Sequence, residues 1–408
     1  MRTVSYQDPR WWMDRVGGMR GGGTAEVFRT ARGFDSSPLY RHLLAVVADE
    51  PALVELASRT RPGQQPTFAL FGAVHQLLLG GVVDPLAAYY PSVVGGRARP
   101  VDADTGRAFT RFCRTHADRI AAILATRLVQ TNHVQRSLVT RLGLALLRRA
   151  TAAPVCVVEV GCSAGLNLRA DRYAFSVGDS TVGVGDSTVG VGDSAVGVGV
   201  GVGDSTVGDS VSGGRWSARG GSRVHIRADV PDGRLLPDLD RLPVVADVVG
   251  VDLDPPDLTD PEDRAWLRAL VWPENAHQAA LLAEAMRMVA DDPPRVVRGD
   301  VADIGAEVAA SLPAGLPRLV VHTATRIHVP VDRRPAFDAG VAAFAADGPM
   351  LHLALEEDHR VAPSGRAGIG LTATDAAGSR RIAVADGHLA WLEPLPELGT
   401  PITLGAQK

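Results

Sequence analysis

VCVVEVGCSAGLNLRADRY, residues Val155 to Tyr173, is the stretch that decides the fold. It opens on Val155-Cys156-Val157-Val158, a short apolar run rich in β-branched side chains. Such a run reads as a strand buried on both faces inside a parallel sheet. Glu159 closes the run, and the small residues Gly161, Ser163, Ala164 and Gly165 follow. Leu166 to Tyr173 can then continue as a helix. A strand, a small-residue turn and a helix form half of a βαβ unit, and such a turn brings backbone N–H groups against a ligand. The stretch therefore points to a nucleotide-like cofactor site.

Downstream, strand and helix signals alternate. Val244 to Val251 is apolar and ends at Asp252. Asp254 to Asp263 reads as an acidic loop with helix-start signals, and Ala265 to Val271 and then Glu274 to Ala290 as helix. Arg295 to Arg298 reads as a short strand before Gly299-Asp300, and Val301 to Ser311 as helix. Leu319 to His322 is an apolar strand followed by Thr323, Arg333 to Ala346 is helical, and Met350 to Leu355 is a strand before Glu356-Glu357-Asp358. Gly370 to Thr374 and Arg380 to Ala385 flank Asp375-Ala376-Ala377-Gly378, a hairpin signal. This order predicts a Rossmann-like α/β fold with a mostly parallel sheet over residues 151–398. Ligands of such sheets bind outside the carboxyl ends of the strands. Glu159, Asp252, Asp300, His322-Thr323 and Glu356 all fall there.

Upstream, residues 24–150 read as a helical subdomain. Ser37-Pro38 and Pro66 start helices, Gly80-Gly81 stops one, and further helices are expected over 104–126 and 132–149. In the last, Asn132 and Gln135 have capping-box spacing. Alternatively, the polar run Gln130-Thr131-Asn132 faces the cofactor cleft. Residues 1–23 end in Gly21-Gly22-Gly23 and form a loose tail. Inside the α/β region, VGDSTVG recurs at 177, 184 and 202, with VGDSAVG at 191. Valine is its only large apolar side chain, so 177–221 reads as a low-complexity insertion with little structure of its own.

Composition narrows the chemistry. The net charge of −4 gives no electrostatic case for nucleic acid or an anionic membrane. Lys408 is the only lysine. This excludes a Walker-type phosphate loop and a pyridoxal Schiff base. Cys113, Cys156 and Cys162 form no CxxC pair, so a zinc ribbon or disulfide framework is not expected, nor does any histidine spacing suggest a metal site. No long apolar run suggests a membrane span, and the N-terminus lacks the apolar core of a signal peptide. The expected location is the cytoplasm.

Glu159-x-Gly161-x-Ser163-x-Gly165 resembles the glycine-rich first motif of class I S-adenosylmethionine-dependent methyltransferases. The resemblance implies small residues against the methionine moiety, and an acid at Glu159 that accepts a hydrogen bond or balances the cofactor's charge. It places Asp252 on the ribose hydroxyls and Asp300 near the adenine amine. Each acid alone also suits a helix cap or loop end. The same turn spells G-x-S-x-G, the nucleophile elbow of α/β-hydrolases, with Ser163 as nucleophile, Asp252 or Asp300 as acid and His322 or His388 as base. The long helical lead-in and the idle Glu159 count against that scheme.

Over about Phe28 to Glu356 the chain resembles an uncharacterised bacterial family, common in actinobacteria, described as a domain of unknown function. The resemblance rests on Ser37-Pro38-Leu39-Tyr40, Arg127 to Asn132, Gly161 to Leu168, Gly250-Val251-Asp252, Asp257 to Asp260, Trp266 to Ala269, Val271-Trp272-Pro273, Gly299-Asp300 and His322-Thr323. It implies a methyltransferase-like core and no activity. His133 stands where the family usually has glutamate, and Leu355-Glu356-Glu357 replaces a Ser-Asn-Glu. The expectation is an S-adenosylmethionine-dependent methyltransferase acting on a small-molecule or other acceptor. Its cofactor would sit on Glu159, Gly161, Ser163, Gly165, Asp252 and Asp300, its substrate on Gln130, Asn132 and Thr323. His322 or Glu356 would be the base. The alternative in another class is a non-catalytic binding or scaffold module on the same fold.

Overall fold

The computed structural model describes residues 23–31, 34, 36–178, 214–217 and 222–405. Nearly all of the 1–23 tail, and the repeat region except 177–178 and 214–217, lie outside them.

The N-terminal part is helical: α1 (Thr24–Thr30), α2 (Pro38–Asp49), α3 (Pro51–Ala57), α4 (Pro66–Leu79), α5 (Pro91–Val94), α6 (Ala103–Thr115), α7 (Ala117–Thr126) and α8 (Ser137–Ala150). Helices α2 to α5 each begin on proline, whose missing N–H costs nothing in a first turn. Ser37 caps α2 by accepting from Tyr40 N–H, and Asp102 forms a capping box with Thr105 on α6. Helix α4 is apolar on nearly every side and buried along most of its length, as the central rod of this layer must be. The single helix expected over 104–126 is instead two, broken at His116. The one expected from Asn132 starts late. A 3₁₀ turn covers Val134–Arg136, and the Gln135 side chain donates to Leu389 O (3.1 Å) instead of completing a capping box.

The α/β part contains β1 (Val155–Val160), β2 (Ala174–Gly178), β3 (Gly214–Ser217), β4 (His225–Asp229), β5 (Val245–Asp252), α9 (Pro261–Ala269), α10 (Ala276–Asp291), β6 (Arg295–Arg298), α11 (Val301–Ala310), β7 (Arg318–Thr323), α12 (Arg334–Ala342), β8 (Met350–Val361), β9 (Ala367–Asp375), β10 (Gly378–Ala385) and β11 (Leu392–Pro394). The main sheet has the order β11-β10-β9-β8-β7-β1-β5-β6. From β8 to β6 all neighbours are parallel, whereas β8-β9-β10-β11 is antiparallel. The architecture is thus mixed α/β with a mostly parallel central sheet. The hairpin falls where Asp375 to Gly378 announced it, Gly378 pairing with Asp375. Strand β8 runs six residues beyond the expected Leu355, because β9 offers it a partner, with a register shift between Leu355 and His359. A second sheet, β3-β2-β4, includes Gly214–Ser217, so the stretch read as an insertion carries a strand at its end.

Alternation along the strands sorts two faces. Val155, Val157, Leu319 and Val321 pack with α8, α10 and Leu166 to Ala170. Cys156, Val158, Val160 and Val320 pack with α11 and α12. The helical part has a separate core, from Phe28 through Phe71 to Leu124. Helix α9 reaches across to it. Trp266 donates to Leu128 O (2.6 Å), and His75 on α4 hydrogen-bonds Ala269 O (2.8 Å). Among the described residues, no helix is long and apolar enough to cross a membrane.

Candidate functional site

Strand β1 lies between β5 on one side and β7 on the other, so the strand order reverses there. The chain leaving β1 turns through Gly161 (φ +74°), Ser163 (φ +50°) and Gly165 (φ +72°). Two of these conformations need glycine, and the third is held by a hydrogen bond: Ser163 N–H donates to Asp252 Oδ2 at 2.7 Å. Gly161 N–H donates to Val251 O at 2.7 Å. A Cβ at Gly161 would lie 2.4 Å from the Thr325 side chain, so nothing larger fits. Leu166–Arg172 follows as a 3₁₀ segment kinked at Arg169, in place of the expected full helix. The Tyr173 hydroxyl donates to Leu166 O (2.5 Å), capturing a carbonyl that an α-helix would use.

Inside this turn sits Glu159, 3% exposed. Its Oε1 accepts from Asn167 Nδ2 at 3.3 Å, and its Oε2 has no partner among the described residues. Asn167 Oδ1 and Ser163 Oγ are likewise buried and unpartnered. Burial pushes the Glu159 carboxyl up to about 8; the negative Asp252 adds to this, while the Asn167 hydrogen bond and Arg136 oppose it. Asp252, 8% exposed, is held by three donors: Ser163 N–H, Asp254 N–H (3.0 Å) and the Gln130 amide (3.0 Å). Burial raises its carboxyl too, against those hydrogen bonds.

Gln130 belongs to a strap, residues 127–136, laid over the turn. One end is anchored by the Arg127–Asp263 ion pair and by Val129 N–H on Gln64 (2.7 Å). The other end is anchored by Gln135 on Leu389 O and Arg136 on Gly387 O (3.0 Å). Between the anchors, Asn132 is buried, and its Nδ2 has no partner among the described residues. His133 hydrogen-bonds Gln278 and packs on His388, with ring centroids 4.2 Å apart.

The other expected site residues are placed differently. Asp300 caps α11 through Ala302 N–H (2.9 Å) and pairs with Arg333 (3.1 Å), the helix-cap role its position also allowed. His322 shares the parity of Val320 and therefore faces α12, with Phe337 against its ring (5.4 Å), on the sheet face opposite Glu159. Its Nδ1 meets Glu356 Oε1 at 2.6 Å. Glu356 also accepts from the backbone N–H groups of Thr325, Arg326 and Ile327. Burial works against its charge, but the His322 contact and these N–H groups hold its carboxyl below the usual value. Thr323 ends β7, and its carbonyl accepts from Thr325 Oγ1 (3.4 Å). Thr325 links the two faces: it touches Gly161's position, donates to Val160 O (3.1 Å), and gives its N–H to Glu356.

Asn167 and Thr325 were not among the expected site residues. Asn167 carried a usable signal, since a buried amide directly after a Gly-rich turn has few places to point. Thr325 carried none. Among the described residues, no group of three or more His, Cys, Asp or Glu could hold a metal ion. A surface cleft of about 620 Å³ lies elsewhere, between α2 and α6, lined by His42, Val46, Glu50, Arg107, Arg111 and Arg114. Its arginines are matched by carboxylates, Arg107 by Asp104, Arg111 by Asp84 and Arg114 by Glu50. The buried, unpartnered atoms at the end of β1 mark the stronger candidate.

A family model described as "Uncharacterized protein conserved in bacteria (DUF2332)" matches residues 25–393. The chain belongs to this family. No curated protein and no solved structure matches it. The DUF2332 match takes in the helical part, the turn after β1, and the sheet as far as β11.

Proposed function

We propose that the protein is an S-adenosylmethionine-dependent methyltransferase whose cofactor binds at the turn after β1. One observation carries the reading. Glu159 Oε2, Ser163 Oγ and Asn167 Oδ1 are buried without partners among the described residues, on and beside a single tight turn at the point where strand order reverses. Each such group costs about 1–3 kcal/mol unless something satisfies it. Supporting it, the parallel strands follow the order β6-β5-β1-β7-β8, the Rossmann-like arrangement in which the crevice beside the first strand receives a nucleotide-like ligand.

The residues suit the cofactor. Glu159, Ser163 and Asn167 offer acceptors for an amino group. Asp252 has three of its roughly four acceptor positions filled, which leaves one for a ribose hydroxyl. Bound there, the cofactor supplies an electrophilic methyl group. The chain's own part is positioning: Gly161 admits close backbone approach, and the strap excludes water. His322, held by Glu356, is a base on the far side of β7, and the acceptor remains a small molecule or other nucleophile brought to the strap. Calorimetry with S-adenosylmethionine and S-adenosylhomocysteine tests the reading. Micromolar binding that Asp252→Asn weakens tenfold or more supports it, and no heat from either ligand at millimolar concentration sinks it.

The Gln130–Asp252 hydrogen bond favours a second reading, a binding module in which the strap stays closed and no methyl is transferred. Turnover of the cofactor with any acceptor decides against it. The hydrolase scheme has no comparable support, because Ser163 Oγ has no hydrogen-bond partner among the described residues, histidine included.

A further inference from the structure

We propose that Glu159 is a proton-exchanging recognition residue: it is a neutral acid in the ligand-free protein and gives up its proton when a positively charged group, an ammonium or sulfonium, occupies the turn between Glu159, Ser163 and Asn167. The inference relies on the methyltransferase reading only for the identity of the ligand.

The argument begins with charge. A carboxylate out of water is tolerated when a cation or several N–H donors hold it. Glu356 shows the second case within this protein, with three backbone N–H groups and an imidazole on its two oxygens. Glu159 is more enclosed still, 3% exposed against 16% for the Glu356 side chain, and has one amide, at 3.3 Å. The groups facing it do not make up the difference. Asp252 on β5 is negative. Cys162 on the turn and Tyr173 beyond it are weak acids that burial keeps protonated. Arg141 on α8 is committed to the carbonyls of Leu239, Ala170 and Asp171. Arg136 on the strap opposes the shift, but its Nε is spent on Gly387 O. The carboxyl of Glu159 is accordingly driven upward by burial, and the proton is the cheapest counter-ion available to it.

A ligand cation changes that balance. When it arrives, the O–H bond of Glu159 breaks, the electron pair stays on the carboxylate, and the proton passes to buffer. The carboxylate then faces the cation directly, with Ser163 Oγ and Asn167 Oδ1 as neutral acceptors beside it. A phosphate-bearing nucleotide finds no such exchange, since it gains nothing from ionising Glu159 and would set its negative charge against Asp252. The site therefore selects cations, and its affinity rises with pH until Glu159 is already ionised.

Infrared spectroscopy of the free protein at pH 7 tests the first half. A buried carboxylic acid band absent from Glu159→Gln is expected, and its absence from the wild type overturns the proposal while leaving the methyltransferase reading intact. Calorimetry with S-adenosylmethionine in buffers of different ionisation heat tests the second. Release of close to one proton at pH 6.5, falling toward none at pH 9, is expected, with loss of the acid band on binding. An acid band that persists at saturation overturns the proposal alone. If S-adenosylmethionine does not bind but the band is present, the methyltransferase reading fails. Methylammonium chloride then decides the proposal: Glu159-dependent loss of the band upholds it, and an unchanged band overturns it.

Discussion

Ser37 Oγ donates to the carboxylate of Glu274, 237 residues later, at 2.8 and 3.0 Å. Leu39 N–H reaches the same carboxylate at 3.0 Å, and Ser37 Oγ accepts from Tyr40 N–H in return. The first turn of α2, whose N–H groups have no helical partners, is thus capped by an acid from the loop between α9 and α10. Trp272 reinforces the join by stacking on Phe34 (5.3 Å, 4°). This explains why Ser-Pro-Leu-Tyr and Val-Trp-Pro-Glu stand as separate motifs: they form one lock between the helical and α/β parts. Ser37→Ala should cost about 1–2 kcal/mol and Glu274→Gln about 1–3 kcal/mol in urea unfolding. The double mutant should fall short of their sum by at least about 0.5 kcal/mol, and simple additivity would refute the lock.

Glu159 gives stability a distinctive pH dependence. Its folded-state value of about 8 lies above the ordinary 4.5, so the folded protein holds a proton that the unfolded chain releases. The stabilisation is complete below the ordinary value and is lost as pH rises towards 8, at about 1.4 kcal/mol per pH unit. The wild-type stability profile minus that of Glu159→Gln should slope downward over pH 5 to 8. A flat difference would contradict the assignment.

Glu356 predicts the opposite slope. Its carboxyl is depressed below the ordinary value, so its contribution is present above that value and fades as pH falls through the folded one. Glu356→Gln keeps the shape but cannot accept from three N–H groups and His322 together. It should cost about 2–4 kcal/mol at pH 7 and progressively less in acid, measured by denaturant unfolding at each pH.

Two glycines separate backbone strain from collision. Gly81 (φ +90°) has open space where a Cβ would stand, whereas Gly161 (φ +74°) has Thr325 at 2.4 Å. Gly81→Ala should cost about 1–2 kcal/mol for the left-handed conformation alone. Gly161→Ala should cost at least about 2 kcal/mol more, because the Thr325 that must move also holds Val160 O and Glu356. Equal melting-temperature losses would show that the turn is looser than its contacts imply.

Ser163 provides a negative test. Its hydroxyl has no hydrogen-bonded base among the described residues, so a fluorophosphonate probe should leave it unlabelled under conditions that label a serine hydrolase. Labelling abolished by Ser163→Ala would restore the hydrolase scheme.

Much of the sheet was legible because its strands are β-branched runs ending on a polar residue. Val155 to Val160, Val245 to Asp252 and Arg295 to Arg298 fall within a residue or so of their expected limits. The turn was legible for a similar reason, since Gly161 and Gly165 stand where the backbone takes positive φ. What local pattern determined was therefore the elements, their order and the unusual turn. Partnership was decided by tertiary structure. The cap at Asp300 is local, but its ion pair with Arg333 was brought by the fold. His322 was sent to the face opposite Glu159 by the pleat, a distinction that turns on a single residue of register. Strand β8 outran its own apolar pattern because β9 paired with it. Gln130 met Asp252 across 122 residues, a contact that no window of sequence contains. Short-range steric and hydrophobic preferences are encoded residue by residue, whereas the charge state and partner of a buried acid such as Glu159 depend on what the completed fold places around it.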